Sequence, residues 1–217
     1  MKRSVLFLLL VNGLITLHAQ FGENHAIYVG NEFNVGGYFG IDVNLNYVYH
    51  EKYAVRLGYT GNARIARSIP SDYSPGMIGI LTLGLNTPSD HFKSLHLDFG
   101  FIKKLNEAGT ARMNLSLGLG LITTREPVNW QRTDGFMTEN YTWDYETDHA
   151  LSFVVNPKFE FPFFRNWGLS ISPMLQVYDG GTFFVVGIGH IFGLLRKSAP
   201  PVMPASTAES PGNASSD

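Results

Sequence analysis

The chain of 217 residues has no cysteine. That excludes a disulfide framework, a thiolate zinc site and a thiol nucleophile. Charge is also scarce, at 16% Asp, Glu, Lys and Arg against about 25% in ordinary soluble domains. What charge there is nearly cancels, with 16 basic and 18 acidic residues. Nothing in that balance invites nucleic acid. Past the first 20 residues there is no long apolar run, and helical periodicity is hard to find after about residue 35. The mean hydropathy of −0.01 is too polar for a bundle of membrane helices, each needing ~20 apolar residues. The length fits one domain.

Both ends are set apart by composition. Lys2 and Arg3 precede an apolar run, Val5 to Leu17, broken only by Asn12, Gly13 and Thr16. His18-Ala19-Gln20 follows, with a small residue at a plausible cleavage point. Residues 1–20 therefore read as a secretory signal peptide, too short for a spanning helix. Removing Lys2 and Arg3, and no acid, takes the net charge from −2 to −4. Residues 195–217 are rich in Pro, Ala and Ser, the composition of a disordered tail.

Between these ends the sequence alternates. Apolar residues recur at every second position in eight runs: Phe39–Tyr49, Tyr53–Tyr59, Leu81–Leu85, Leu95–Phe101, Met113–Leu121, Phe153–Phe161, Leu169–Val177 and Phe184–Phe192. Period-two patterning marks strands with one apolar face. Residues 21–32 are left as a lead-in, and 33–194 as the strand-bearing domain.

The class is all-β, and two architectures fit it. A soluble sandwich alternates too, but its polar face carries many Lys and Glu. Here the polar faces hold mostly Gly, Ser, Asn and Thr. Their few charges balance: Asp42, Asp98 and Glu160 against Arg56, Arg112 and Lys158, with His96 beside Asp98 on the same face. Small residues and matched ions suit a narrow lumen. The other faces are nearly unbroken Leu, Ile, Val and Phe, as lipid demands. The expected fold is a closed antiparallel transmembrane β-barrel of about eight strands, closed because lipid tolerates no unpaired edge. Pro157 and Pro173 lie on the apolar faces and mark bulges or broken pairing. Tyr47, Tyr49 and Tyr53, and then Phe161, Phe163, Phe164 and Trp167, cluster at run ends as interfacial girdles do.

The last run ends in Gly187, Gly189, Phe192 and Leu194. A glycine followed by spaced apolar residues of one parity is similar to the C-terminal signal read by barrel-assembly machinery. With it, the chain resembles the small outer-membrane β-barrels, including the eight-stranded transmembrane domain of the outer-membrane-protein-A-like superfamily. The resemblance covers roughly residues 33–194. It implies a place in the cell outer membrane, with membrane lipid and the assembly machinery as partners, and no particular activity. The tail is a departure, since the signal usually ends the chain or leads into a folded domain. His190 shares the lipid-facing parity.

The longest connection, 124–149, is itself patterned. Asp134-Gly135 is a type I′ turn signal. Around it lie Trp130, Tyr141, Trp143 and Tyr145, beside Asp144, Glu146 and Asp148. The odd parity of the aromatics runs on into Phe153, so strand six extends past the bilayer, and Pro127 is the place for a bulge. Aromatics with a polar rim suit recognition of an extracellular protein or glycan. An upper girdle on a rigid hairpin is the plainer alternative. With the eight runs above, the irregular stretch Gly61–Pro75 falls at the end where barrel turns are short. A further strand in Ala26–Asn34 would relieve that conflict.

Signals for enzymatic chemistry are thin. Asp148-His149 is a bare dipeptide whose side chains face opposite ways on a strand. His96 and Asp98 can orient one another with no serine in view. There is no metal spacing, and Gly118-Leu119-Gly120 lies inside a strand. No cofactor is expected. The leading expectation is a non-enzymatic barrel with a plugged lumen, in a structural or recognition role. A narrow pore or small-ligand carrier comes second, and a lipid- or peptide-processing enzyme third.

Overall fold

The computed structural model describes residues 25–82, 87–133 and 138–195. The expected signal peptide, the expected Asp134-Gly135 turn and the expected tail beyond residue 195 lie outside them. Eight strands form one closed antiparallel barrel in sequence order. They are β1 (His25–Gly36), β2 (Phe39–Tyr49), β3 (Tyr53–Ile65), β4 (Ser89–Lys104), β5 (Arg112–Arg132), β6 (Tyr141–Phe161), β7 (Trp167–Tyr178) and β8 (Gly181–Leu194). One short helix, α1 (Gly76–Leu81), sits between β3 and β4.

Two expectations need correction. For the run Leu81–Leu85, Leu81 ends α1 in place of starting a strand, and residues 83–86 lie outside the described set. Residues 25–32 of the expected lead-in belong to β1, the further strand anticipated in Ala26–Asn34, which begins at His25 and closes the ring against β8, with Ile27 opposite Leu194. The count of eight survives with a different membership. The start of β1 and the end of β8 then lie at one end of the barrel. The 61–75 stretch moves to the other end, beside the β5–β6 connection, so the conflict over its length disappears.

Register fixes the barrel's geometry. A row of paired residues runs Phe161, Leu169, His190, Asn31, Val43, Tyr59, Leu95, Leu121, Leu151. One circuit starts at 161 and returns to β6 at 151, a stagger of 161 − 151 = 10 residues. Eight strands with that stagger tilt by roughly 40°. The interior is then wide enough only for interlocked side chains.

Polarity is inverted relative to a soluble barrel. Outward residues are apolar and exposed on every strand, among them Phe33, Leu45, Leu57, Leu97, Leu119, Phe153, Ile171 and Ile188. On β5 the outward set Met113 to Leu121 covers about 20 Å of height at ~3.3 Å per residue and a ~40° tilt. That is close to the ~25 Å apolar band of outer-membrane barrels. Asn31 and His190, paired in register, are polar exceptions on this wall, in a shallow groove with Phe33, Val43 and Ile188. Inward residues are buried and mainly polar.

Pro157 and Pro173 act as the pattern predicts, and Pro127 does not. The β6–β7 ladder has no partners between Val155↔Leu175 and Phe159↔Ile171, where Pro157 and Pro173 would face each other. Side-chain bonds between Asn156 and Ser172, at 2.9 and 3.1 Å, bridge the gap. Pro127 stays in register with Tyr145. The bulge falls instead between Val128 and Gln131, where Asn129 has φ +56°. Asn tolerates the left-handed conformation better than most residues.

Candidate functional site

The lumen is filled in three layers. At the end where β1 starts and β8 finishes, Tyr28, Val48, Ala54, Ile102, Ile191 and Leu195 form an apolar lid. At the far end Tyr38, Phe92, Ile122, Val154, Met174, Phe183 and Val185 form another, with the Phe92 and Phe183 rings stacked at 3.9 Å. Both lids were invisible in the alternation, because these residues occupy the polar parity at strand ends. Between the lids lies an ion and hydrogen-bond network.

Arg56 is at its centre, 1% exposed. Its guanidinium donates to Asp98 through Nε at 2.7 Å and through Nη2, and to Asn156 Oδ1 through Nη1 at 2.6 Å. His96 places Nδ1 2.9 Å from Asp98 and Nε2 3.3 Å from Asp42. Arg112 donates to Glu160 at 2.6 Å, and the Tyr28 hydroxyl donates to the other Glu160 oxygen at 2.7 Å. Lys158 sits 2.8 Å from Glu32, which also accepts from Ser170. All seven predicted lumen residues, Asp42, Arg56, His96, Asp98, Arg112, Lys158 and Glu160, are therefore buried in one interior.

Their partners differ from the expected pairs Asp42/Arg56, Asp98/Arg112 and Lys158/Glu160. Register decides: Arg56 is directly opposite Asp98, and Arg112 directly opposite Glu160. The partner of Lys158, Glu32, was missed because it lies in the segment taken for a lead-in. Ionised carboxylates only accept hydrogen bonds, so a His96 that bonds Asp98 and Asp42 through both ring nitrogens would do so as the cation. Four acids, Glu32, Asp42, Asp98 and Glu160, then balance four cations, Arg56, Arg112, Lys158 and His96.

The β5–β6 extension is packed rather than free. Trp130 lies 5.3 Å from Trp143 and 6.2 Å from Tyr141, and Tyr73 of the β3–β4 connection lies 6.2 and 6.3 Å from the two Trp rings. The Tyr141 hydroxyl donates to Asp72 at 2.9 Å, and Asn140 donates to the Asp72 carbonyl and accepts from the Ser74 amide. Ser68 donates to the Pro127 carbonyl at 2.8 Å. The Asp72 carboxylate holds the Tyr141 phenol above its usual range, and burial does the same for Tyr73. Three of the four predicted recognition aromatics thus join Tyr73, which sequence reading passed over as loop. Tyr145 stands apart, under the Arg125 guanidinium at 4.0 Å.

Asp148 and His149 point to opposite faces, and His149 meets Thr123 at 3.0 Å. Phe192 and Leu194 of the assembly-signal segment lie on the outward parity of β8, and Gly187 and Gly189 on the inward one. A Cβ at Gly187 would press on the Glu32 carboxylate, and one at Gly189 on the β1 backbone. These glycines therefore make room for the ring's closing seam as well.

No family model and no curated protein matches the chain. Solved structures of similar architecture do. Ail, the attachment invasion locus protein of Yersinia pestis, is 14% identical with a TM-score of 0.44, covering 77% of this chain and 97% of its own. The N-terminal β-barrel domain of Pseudomonas aeruginosa OprF is 12% identical with a TM-score of 0.47, covering 80% and 99%. Neisserial surface protein A is 10% identical with a TM-score of 0.44, covering 77% and 94%. The likeness to these eight-stranded outer-membrane barrels is one of fold.

Proposed function

We propose that the chain is an integral outer-membrane barrel that does not conduct. Its role is structural or in surface contact, through the end built from β5, β6 and residues 66–82. The observation that carries the membrane reading is the inverted polarity of a fully closed ring. A soluble protein rarely exposes so large a contiguous apolar surface, and closure leaves no strand edge to satisfy in lipid. A charge-balanced network between two apolar lids favours the plugged lumen over the pore or carrier.

The extension presents Trp130, Tyr141 and Trp143 together, with Asp144, Glu146 and Asp148 on the other face of β6, an aromatic surface suited to an extracellular protein or glycan. Because these aromatics also hold the 66–75 segment, the contact surface is composite. The non-enzymatic reading is supported by His96, whose two ring nitrogens are both engaged inside a sealed interior. It is also supported by the separation of Asp148 from His149 across the sheet.

The barrel reading predicts recovery in the outer-membrane fraction and a gel mobility that changes on boiling. A soluble periplasmic protein would refute it. Single-channel recording on refolded protein should show no sustained openings, and ion-selective openings would sink the plug. Trp130→Ala with Trp143→Ala should lower adhesion to host or neighbour-cell surfaces. Lipid or peptide turnover lost in His149→Ala would overturn the non-enzymatic reading.

A further inference from the structure

The wall formed by β4, β5 and β6 changes character abruptly. Leu95, Leu121 and Leu151 are neighbours in register, outward and exposed. Two residues further from the end where β1 starts, the same outward face carries Lys93, Thr123 and His149. The next row is His91, Arg125 and Thr147. Four residues able to carry positive charge thus form a strip directly above a leucine shelf.

The acids at this height are sorted to the other face. Asp90, Glu126, Glu146 and Asp148 have the even, inward parity, and Asp90 is buried against Arg64 at 2.8 Å. Glu126 is even placed opposite Glu146, a like-charge pairing that is unfavourable on a sheet. Among the described residues neither Lys93 nor Arg125 forms an ion pair. At the opposite end Lys104 is paired with Glu51, and Lys52 lies over the Tyr53 and Phe101 rings. Local contacts also hold the strip outward: Arg125 lies over the Tyr145 ring, and His149 bonds to Thr123.

Unpaired cations on a surface that water bathes evenly need no apolar shelf beneath them. Cations at the edge of an apolar wall face one thing in particular, an anion tethered to hydrocarbon. We propose that this strip binds the phosphate-bearing headgroup of an anionic lipid in the leaflet at that end, its acyl chains lying along Leu95, Leu121 and Leu151. The strip spans two strand spacings, about 10 Å, enough for a headgroup with several anionic oxygens. Lys93 and Arg125 supply permanent charge, and the two histidines add donors. The proposal rests on the membrane-spanning reading and goes beyond it by naming a lipid class and the residues that select it.

The test uses the refolded chain in phosphatidylcholine nanodiscs carrying a trace of spin-labelled lipid. The fraction of label immobilised at the protein is compared for phosphatidic acid and phosphatidylcholine. Phosphatidic acid should be preferred several-fold, since each Lys or Arg near an anionic surface is worth about five-fold. The double variant Lys93→Ala/Arg125→Ala should lose that preference. Lys52→Ala/Lys103→Ala, at the other end, should keep most of it. Equal immobilisation of both lipids would overturn the proposal while leaving the membrane reading intact. So would loss of preference only in the Lys52/Lys103 variant, or displacement of the label by inorganic phosphate where chloride has no effect, which would mark a site for free anions. Absence of any immobilised label would remove the membrane reading and this proposal together.

Discussion

Asp98 serves two cations at once, Arg56 and His96, with all three side chains shut away from solvent. Removing it leaves two buried charges facing one another, so Asp98→Ala should destabilise the barrel by about 3–5 kcal/mol. Lys104, in an exposed pair with Glu51, should cost at most ~1 kcal/mol when changed to Ala. Urea unfolding of vesicle-inserted protein measures both, and equal losses would contradict a tight interior network. Packing makes a second prediction. Gly58 faces the His96 ring so closely that a Cβ there would overlap the imidazole. Gly58→Ala should therefore cost about 1–3 kcal/mol, the range for an overfilled core, although glycine to alanine in an unobstructed strand is ordinarily favourable. At this scale the sequence was readable for residue type and face. Which ion meets which was not, because partner choice depends on a stagger that no single strand encodes.

Elements show where alternation succeeds and where it misleads. It located seven strands through Val43, Leu57, Leu97, Leu119, Phe153, Ile171 and Ile188, each in an apolar run with no Asp, Glu, Lys or Arg on its outward face. It failed at β1, where Asn31 interrupts the outward set and Tyr28 adds an apolar residue to the inward one. It also failed at Leu81–Leu85, where spacing by two coincides with a short helix ending at Leu81. Losing β1 inverted the ends of the barrel and hid the pairing of the 66–75 segment with the β5–β6 extension. That pairing makes a prediction of its own. Tyr141 donates to Asp72 only while protonated, and its folded pKa is raised. Its contribution to docking is therefore complete below the ordinary tyrosine value of 10.0 and is lost as pH rises through the raised value. Trypsin cleavage after Arg67 should be slow at neutral pH and accelerate in alkali. Asn140→Ala, which removes the bonds to Asp72 and Ser74, should accelerate it already at neutral pH. Equal rates in wild type and variant would mean that the segment is held by the aromatic cluster alone.

For the whole molecule, the scarcity of charge and the near-zero hydropathy follow from closure. One face of every strand meets lipid and the other a lumen too narrow for unpaired ions, so the averages report a wall rather than a core. Closure also makes the two ends of the chain unequal in importance to the middle of its longest hairpin. β1 pairs with β2 along one edge and with β8 along the other. Deleting residues 25–36 exposes both edges to lipid, where each unpaired backbone group costs several kcal/mol. It also removes Glu32, leaving Lys158 buried without its carboxylate. Deleting 130–142, by contrast, leaves β5 and β6 paired from Arg112↔Glu160 to Val128↔Asp144 and the ring intact. The first variant should lose the boiling-dependent gel shift and fail to enter the membrane fraction. The second should keep both while losing the contact surface. A β1 deletion that still showed the shift would mean that β2 and β8 can close on each other. The barrel would then be held together by its lumen network more than by its seam.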